Sequence, residues 1–165
     1  MSDKKPKPTL EEIAPEWLEG NNLKNILDFY EFLKNNKLGA SKTASYTWTT
    51  KHKGKKICSF KFLSKDCWLL DVIAYRNFTN AETYEKYITA EQKKFLLDNI
   101  RTPACRGCKG RDNIEFFGQI FNNVCNCGPH AYNNPEGEVF EYLKQITLAN
   151  KKLVSDIAAA ENAAK

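Results

Sequence analysis

Six cysteines carry most of the chemistry this sequence could perform: Cys58, Cys67, Cys105, Cys108, Cys125 and Cys127. The last four come as two close pairs. Cys105-Arg-Gly-Cys108 is a C-x2-C knuckle, and Cys125-Asn-Cys127-Gly-Pro-His130 follows after sixteen intervening residues. A tetrahedral zinc site needs four thiolate or imidazole ligands, which usually arrive as two short-spaced pairs from two loops. C-x2-C lets both sulfurs face one ion, and Gly107 relieves the tight backbone between them. The spacing therefore predicts a structural zinc site with Cys105, Cys108, Cys125 and Cys127 as ligands, and His130 as the alternative fourth. Arg101, Arg106, Lys109 and Arg111 crowd the first pair, and their charge would help keep the thiolates deprotonated. The same four sulfurs could instead form a redox dithiol or a disulfide. An iron–sulfur centre also takes four thiolates, but C-x-C matches no ferredoxin spacing. Cys58 and Cys67 fall on strand-like runs, where a cysteine ordinarily packs as a small apolar side chain.

The second chemically suggestive group is basic. Lys51, Lys53, Lys55 and Lys56 crowd a predicted hairpin tip, beside Trp48 and His52. Such a tip could track phosphates and stack bases, and is a candidate nucleic-acid contact. A solvated hairpin explains the lysines equally well, and His52 reads more simply as solvated than as catalytic. A third group is aromatic: Tyr46, Trp48, Phe60 and Trp68 could line a ligand cleft or simply fill the core. Glu82, Glu85, Glu91 and Asp98 read as the solvated side of a helix. No nucleophile–base–orienter set, nucleophile elbow, phosphate-binding glycine loop or H-E-x-x-H motif occurs, and no catalytic residue is assigned.

The elements that must position these residues follow from periodicity. Thr9 and Glu12 have capping-box spacing and predict a short helix through Ile13. Leu23, Ile26, Leu27, Tyr30 and Leu33 recur at helical spacing and predict a helix near 22–36, with Gly39 as its stop signal. Three strand-like runs follow: 43–50, rich in β-branched residues; 55–63, which alternates; and 67–75, almost continuously apolar. They predict a three-stranded antiparallel meander. Helical character returns over 80–100, with a break near Thr89. The segment 101–135 is rich in cysteine, glycine, asparagine and proline, with an apolar stretch at 114–124. Pro135 heads a last helix through Ile157.

The expected architecture is α+β: a meander sheet of three or four strands packed by helices on one face, with a cysteine-rich loop. The chain divides into a flexible basic arm (1–8), a single domain (9–157, with 101–135 as its cysteine-rich segment) and a frayed alanine-rich tail (158–165). At 165 residues, 42% hydrophobic and 12% aromatic, it can bury a core without cross-links. A net charge of +5, from 25 basic and 20 acidic residues, is too mild to name a partner by itself. No run approaches the roughly 18 apolar residues of a membrane span. Met1 to Pro8 has no apolar run behind it, so neither a signal peptide nor a membrane partner is expected, and the protein is read as cytoplasmic. In that reducing compartment clustered cysteines favour metal over disulfides.

Two stretches bear a likeness to known sequences. Trp48-Thr-Thr-Lys-His-Lys-Gly-Lys-Lys-Ile-Cys58 resembles a W-x3-[YH]-K-G-K-x-[IL]-C pattern of small bacterial domains of unknown function. Phe117-Gly-Gln-Ile-Phe-Asn-Asn-Val-Cys125, with Asn134-Pro135 after it, is similar to a second signature of such proteins. The resemblance implies a bacterial origin and no particular activity. Cys127 is not a fixed feature of that pattern, which leaves the fourth ligand open between Cys127 and His130. The functional expectation is a ligand- or partner-binding module, for a small molecule or a protein, with a structural zinc site. A nucleic-acid binder using the basic tip and the knuckle comes second. A thiol-dependent or redox enzyme comes third, because a closed four-thiolate site leaves zinc no open position for substrate.

Overall fold

A computed structural model describes residues 8–72, 84–101, 111–125 and 130–164. Helix α1 (Leu10–Trp17) begins at the capping box read from the sequence. Thr9 Oγ1 accepts from the Glu12 N–H at 3.4 Å, and Glu12 Oε2 accepts from the Thr9 N–H at 2.7 Å. The helix runs beyond Ile13 to include Pro15, and buries Leu10, Ile13 and Ala14.

Helix α2 (Gly20–Asn35) buries Ile26, Phe29 and Leu33. Its stop is not Gly39. Lys37 takes a left-handed φ of 55°, the Leu38 N–H bonds the Leu33 carbonyl at 2.8 Å, and the Lys37 N–H bonds that of Lys34 at 2.9 Å. This is a Schellman closure, and both leucines it joins are buried.

The sheet is antiparallel, in the order β1-β2-β3-β4-β7. Its first four strands, β1 (Ala40–Ala44), β2 (Thr47–His52), β3 (Lys55–Ser64) and β4 (Cys67–Val72), form a meander. The predicted strand 43–50 is thus two strands, folded at Ser45–Tyr46, where Tyr46 adopts φ 59°. Residues 73–75 of the predicted third run lie outside the described residues. The β2–β3 turn has both central residues at positive φ, Lys53 at 48° and Gly54 at 79°, the twist-matched two-residue hairpin.

Registers sort the side chains. Trp48, Phe60 and Leu70 are cross-strand neighbours on one face, and Thr49, Ser59 and Asp71 on the other. The first face meets the helices. Phe29 of α2 lies edge-on to Phe60 at 5.9 Å, and Phe140 lies edge-on to Trp68 at 6.3 Å. Phe140 belongs to the 27-residue helix α4 (Gly137–Ala163). That helix continues through the expected frayed tail, because alanine, the best helix former, dominates residues 158–164. The shorter α3 (Ala90–Asp98) starts at Thr89 with a second capping box, where the sequence placed a break.

Strands β5 (Arg111–Phe116) and β6 (Gln119–Cys125) form a separate two-stranded hairpin, turning at Phe117 and Gly118. Phe116 is buried beside His130 at 5.4 Å, while Phe117 stacks on Tyr84 at 6.3 Å and carries the Lys93 ammonium over its ring. Strand β7 (Ala131–Asn133) then returns the chain to the main sheet beside β4.

Candidate metal centre

Cys105, Cys108 and Cys127 lie outside the described residues, and of Cys125 only the backbone is described. What the structure gives is the frame around them. Arg111, which follows Cys108 by three residues, pairs in register with Cys125 at the open end of the β5–β6 hairpin. The knuckle therefore leads into this hairpin at the end where the second cysteine pair leaves it.

His130 stands where the chain re-enters the main sheet. Its carbonyl accepts from the Val72 N–H at 3.2 Å, which extends the β4–β7 ladder by one bond and fixes the backbone. The imidazole is fully buried, and neither Nδ1 nor Nε2 has a hydrogen-bond partner among the described residues. Burial pushes its pKa down to about 3, so the ring is neutral at physiological pH, the form that ligates metal. A buried ring with two unsatisfied nitrogens is uncommon and asks for an explanation. Among the described residues no three His, Cys, Asp or Glu side chains converge as a metal-binding group.

The other two cysteines lie on the main sheet, Cys58 opposite Val72 in register and Cys67 at the other end of β4. Cys58 is fully buried on β3 and Cys67 half-buried on β4, both with free thiols. Burial pushes the Cys58 thiol up to about 12, which removes its nucleophilicity.

Of the four aromatics considered for a cleft, Trp48, Phe60 and Trp68 are in the core, because their strand positions all face the helices. Trp48 stacks on Phe60 at 5.9 Å. Only Tyr46 is exposed, at 40%. It borders an opening of about 680 Å³ with Thr9, Glu12, Glu16 and Lys42, and its ring lies 4.3 Å from that of Trp17.

The basic tip divides. Lys55 pairs with Glu161 at 3.7 Å and Lys56 with Asp71 at 3.8 Å, whereas Lys51 and Lys53 have no carboxylate partner among the described residues. His52 is not simply solvated: its Nε2 lies 2.8 Å from Ser155 Oγ on α4. Sequence reasoning had no means of finding Ser155 or Lys151, which stand a hundred residues away in an ordinary helical pattern. Glu82 lies outside the described residues. Glu85 pairs with Lys93, Asp98 with Lys94, and Glu91 accepts from the Thr89 hydroxyl at 3.4 Å, all surface contacts of the α3 region.

No protein-family model, curated protein or solved structure matches the chain. No described helix is long and apolar enough to cross a membrane.

Proposed function

We propose that this protein is a small binding module of the bacterial cytoplasm whose β5–β6 hairpin is tied to the main sheet by a structural zinc ion. Cys105, Cys108 and Cys125 supply three ligands, and Cys127 or His130 the fourth. The observation that carries the reading is the register of Arg111 with Cys125. Covalent reach alone keeps Cys108 within about 11 Å of the Arg111 Cα, and Cys127 within about 7 Å of the Cys125 Cα. Both pairs thus join the same end of one hairpin along the chain, the arrangement a two-loop zinc site would use. The unpartnered, neutral His130 ring fits as a ligand better than as a packing residue, because ligation would satisfy one buried nitrogen.

The ion would act as a cross-link, holding a hairpin that, among the described residues, pairs with no strand of the main sheet. One surface offered to a small molecule or a protein partner is the opening beside the exposed Tyr46. Metal analysis of protein purified under reducing conditions, before and after chelation, tests the reading. One zinc per chain, with loss of thermal stability on chelation, is expected. Metal-free protein indifferent to chelator overturns it, and a sulfur–sulfur bond within the cluster moves the assignment to thiol redox chemistry.

A further inference from the structure

The β2–β3 tip and the second half of α4 assemble a cationic site that neither contains alone. The tight turn at Lys53-Gly54 leaves Lys53 exposed, while the preceding residue, His52, reaches α4. Ser155 Oγ donates to the Lys151 carbonyl at 3.0 Å, so its proton is committed, and His52 Nε2–H is the donor in the 2.8 Å contact. That bond fixes the imidazole. Lys151 is fixed as well: its Nζ donates to the Asn36 carbonyl at 2.6 Å, at the end of α2.

Lys151 and Lys53 both bear electrostatically on His52, and no carboxylate does so. The neighbouring charges on each element are accounted for. On the hairpin, Lys55 is matched by Glu161 of α4 and Lys56 by Asp71 of β4, while Lys51 is unmatched. On α4, Lys151 and Lys152 have no carboxylate partner among the described residues, and Asp156 accepts from Tyr87. The anchored Lys151 and the exposed Lys53 flank an immobilised imidazole with no carboxylate counter-ion among the described residues, and a bound anion would relieve their mutual repulsion.

We propose that His52, Lys53 and Lys151 form a phosphate-binding site at the junction of the β2–β3 hairpin and α4, with Ser155 positioning the imidazole. Several converging cations suit a phosphate group, whose tetrahedral oxygens can accept from different directions, better than a planar carboxylate. The same chemistry accepts a free phosphate group or the backbone of a single-stranded nucleic acid. The site is independent of the metal centre, because neither of its elements carries a cysteine of the cluster.

The test is an NMR pH titration of the His52 ring, with inorganic phosphate added against chloride of equal ionic strength. Phosphate should raise the His52 pKa, since an adjacent anion favours the imidazolium. Lys53→Asn removes one cation and keeps a residue that tolerates the left-handed turn. It should raise the His52 pKa in chloride, yet weaken phosphate binding roughly threefold. Ser155→Ala should weaken binding with the turn intact. A parallel anisotropy titration with a single-stranded oligonucleotide identifies the source. Tighter binding than inorganic phosphate, with a salt slope reduced in Lys53→Asn, assigns the nucleic-acid backbone. Oligonucleotide binding no tighter than inorganic phosphate assigns the free group. A His52 pKa that neither ligand moves, or that shifts equally in wild type and Lys53→Asn, overturns the proposal.

Discussion

The Trp68 backbone N–H donates to Asn134 Oδ1 at 2.8 Å, and the Asn134 N–H donates back to the Trp68 carbonyl at 2.9 Å. One asparagine thus continues the ladder beyond the last residue of β7, at a φ of 43° that asparagine tolerates and alanine resists. Asn134→Ala should leave a part-buried N–H unsatisfied and strain the backbone. A loss of about 2 kcal/mol in unfolding free energy is expected, read as a lower denaturant midpoint at unchanged slope. A change below about 0.5 kcal/mol would show that water replaces the amide there.

The metal reading predicts that Cys108→Ser releases zinc and destabilises the chain. If the ion contributes about 4 kcal/mol, the melting temperature should fall by roughly 8–16 °C, at about 2–4 °C per kcal/mol for a chain of this size. Chelation of the wild type should reproduce the shift, and a chelator should have little further effect on the variant. Equal melting temperatures for the two proteins would remove the ion from the folding equilibrium.

The identity of the fourth ligand has its own signature. His130→Leu keeps the buried volume and removes two unsatisfied nitrogens. With His130 as the ligand, the variant should bind zinc at least about tenfold more weakly. Full retention of zinc together with higher thermal stability would give the position to Cys127.

Alkaline stability follows from Cys58. Its folded-state pKa, pushed up to about 12, exceeds the ordinary thiol value of 9.0. The protonated thiol is favoured by folding, so its contribution is complete below pH 9 and is lost as the pH rises from about 9 towards 12. Buried Tyr84 and Tyr132, both shifted upward by burial, act in the same direction. Cys58→Val should flatten the decline in stability between pH 9 and 10, before the tyrosines contribute. In native protein Cys58 should resist iodoacetamide that modifies it after denaturation; rapid native labelling would contradict its burial.

The sequence and the fold agree where a local rule acts without competition. The capping box at Thr9 begins a helix, the break read near Thr89 is where another helix starts, and the alternation of residues 55–63 is a strand. The turn at Ser45–Tyr46 escaped notice because a tyrosine, rather than glycine or asparagine, takes the left-handed conformation there, packed against Trp17. Lys37 likewise takes the left-handed position that ends α2, two residues before the glycine signal, with the Leu38 N–H bonded to the Leu33 carbonyl and both leucines buried. The cysteine spacing was legible as ligand chemistry, and the hairpin that frames it was legible only as an apolar stretch. The bond between His52 and Ser155 joins residues 103 positions apart, and no local pattern reports it.

Asp66 sits in the β3–β4 turn and holds three separate stretches of chain. Its N–H donates to the Trp17 carbonyl at 2.7 Å, its carboxylate accepts from the Glu19 N–H at 3.2 Å, and its carbonyl accepts from Asn22 and Asn134. The end of α1, the start of α2 and the exit from β7 therefore share one fastening. In amide hydrogen exchange these regions should open together as one cooperative unit, with matching free energies, although they span most of the chain's length.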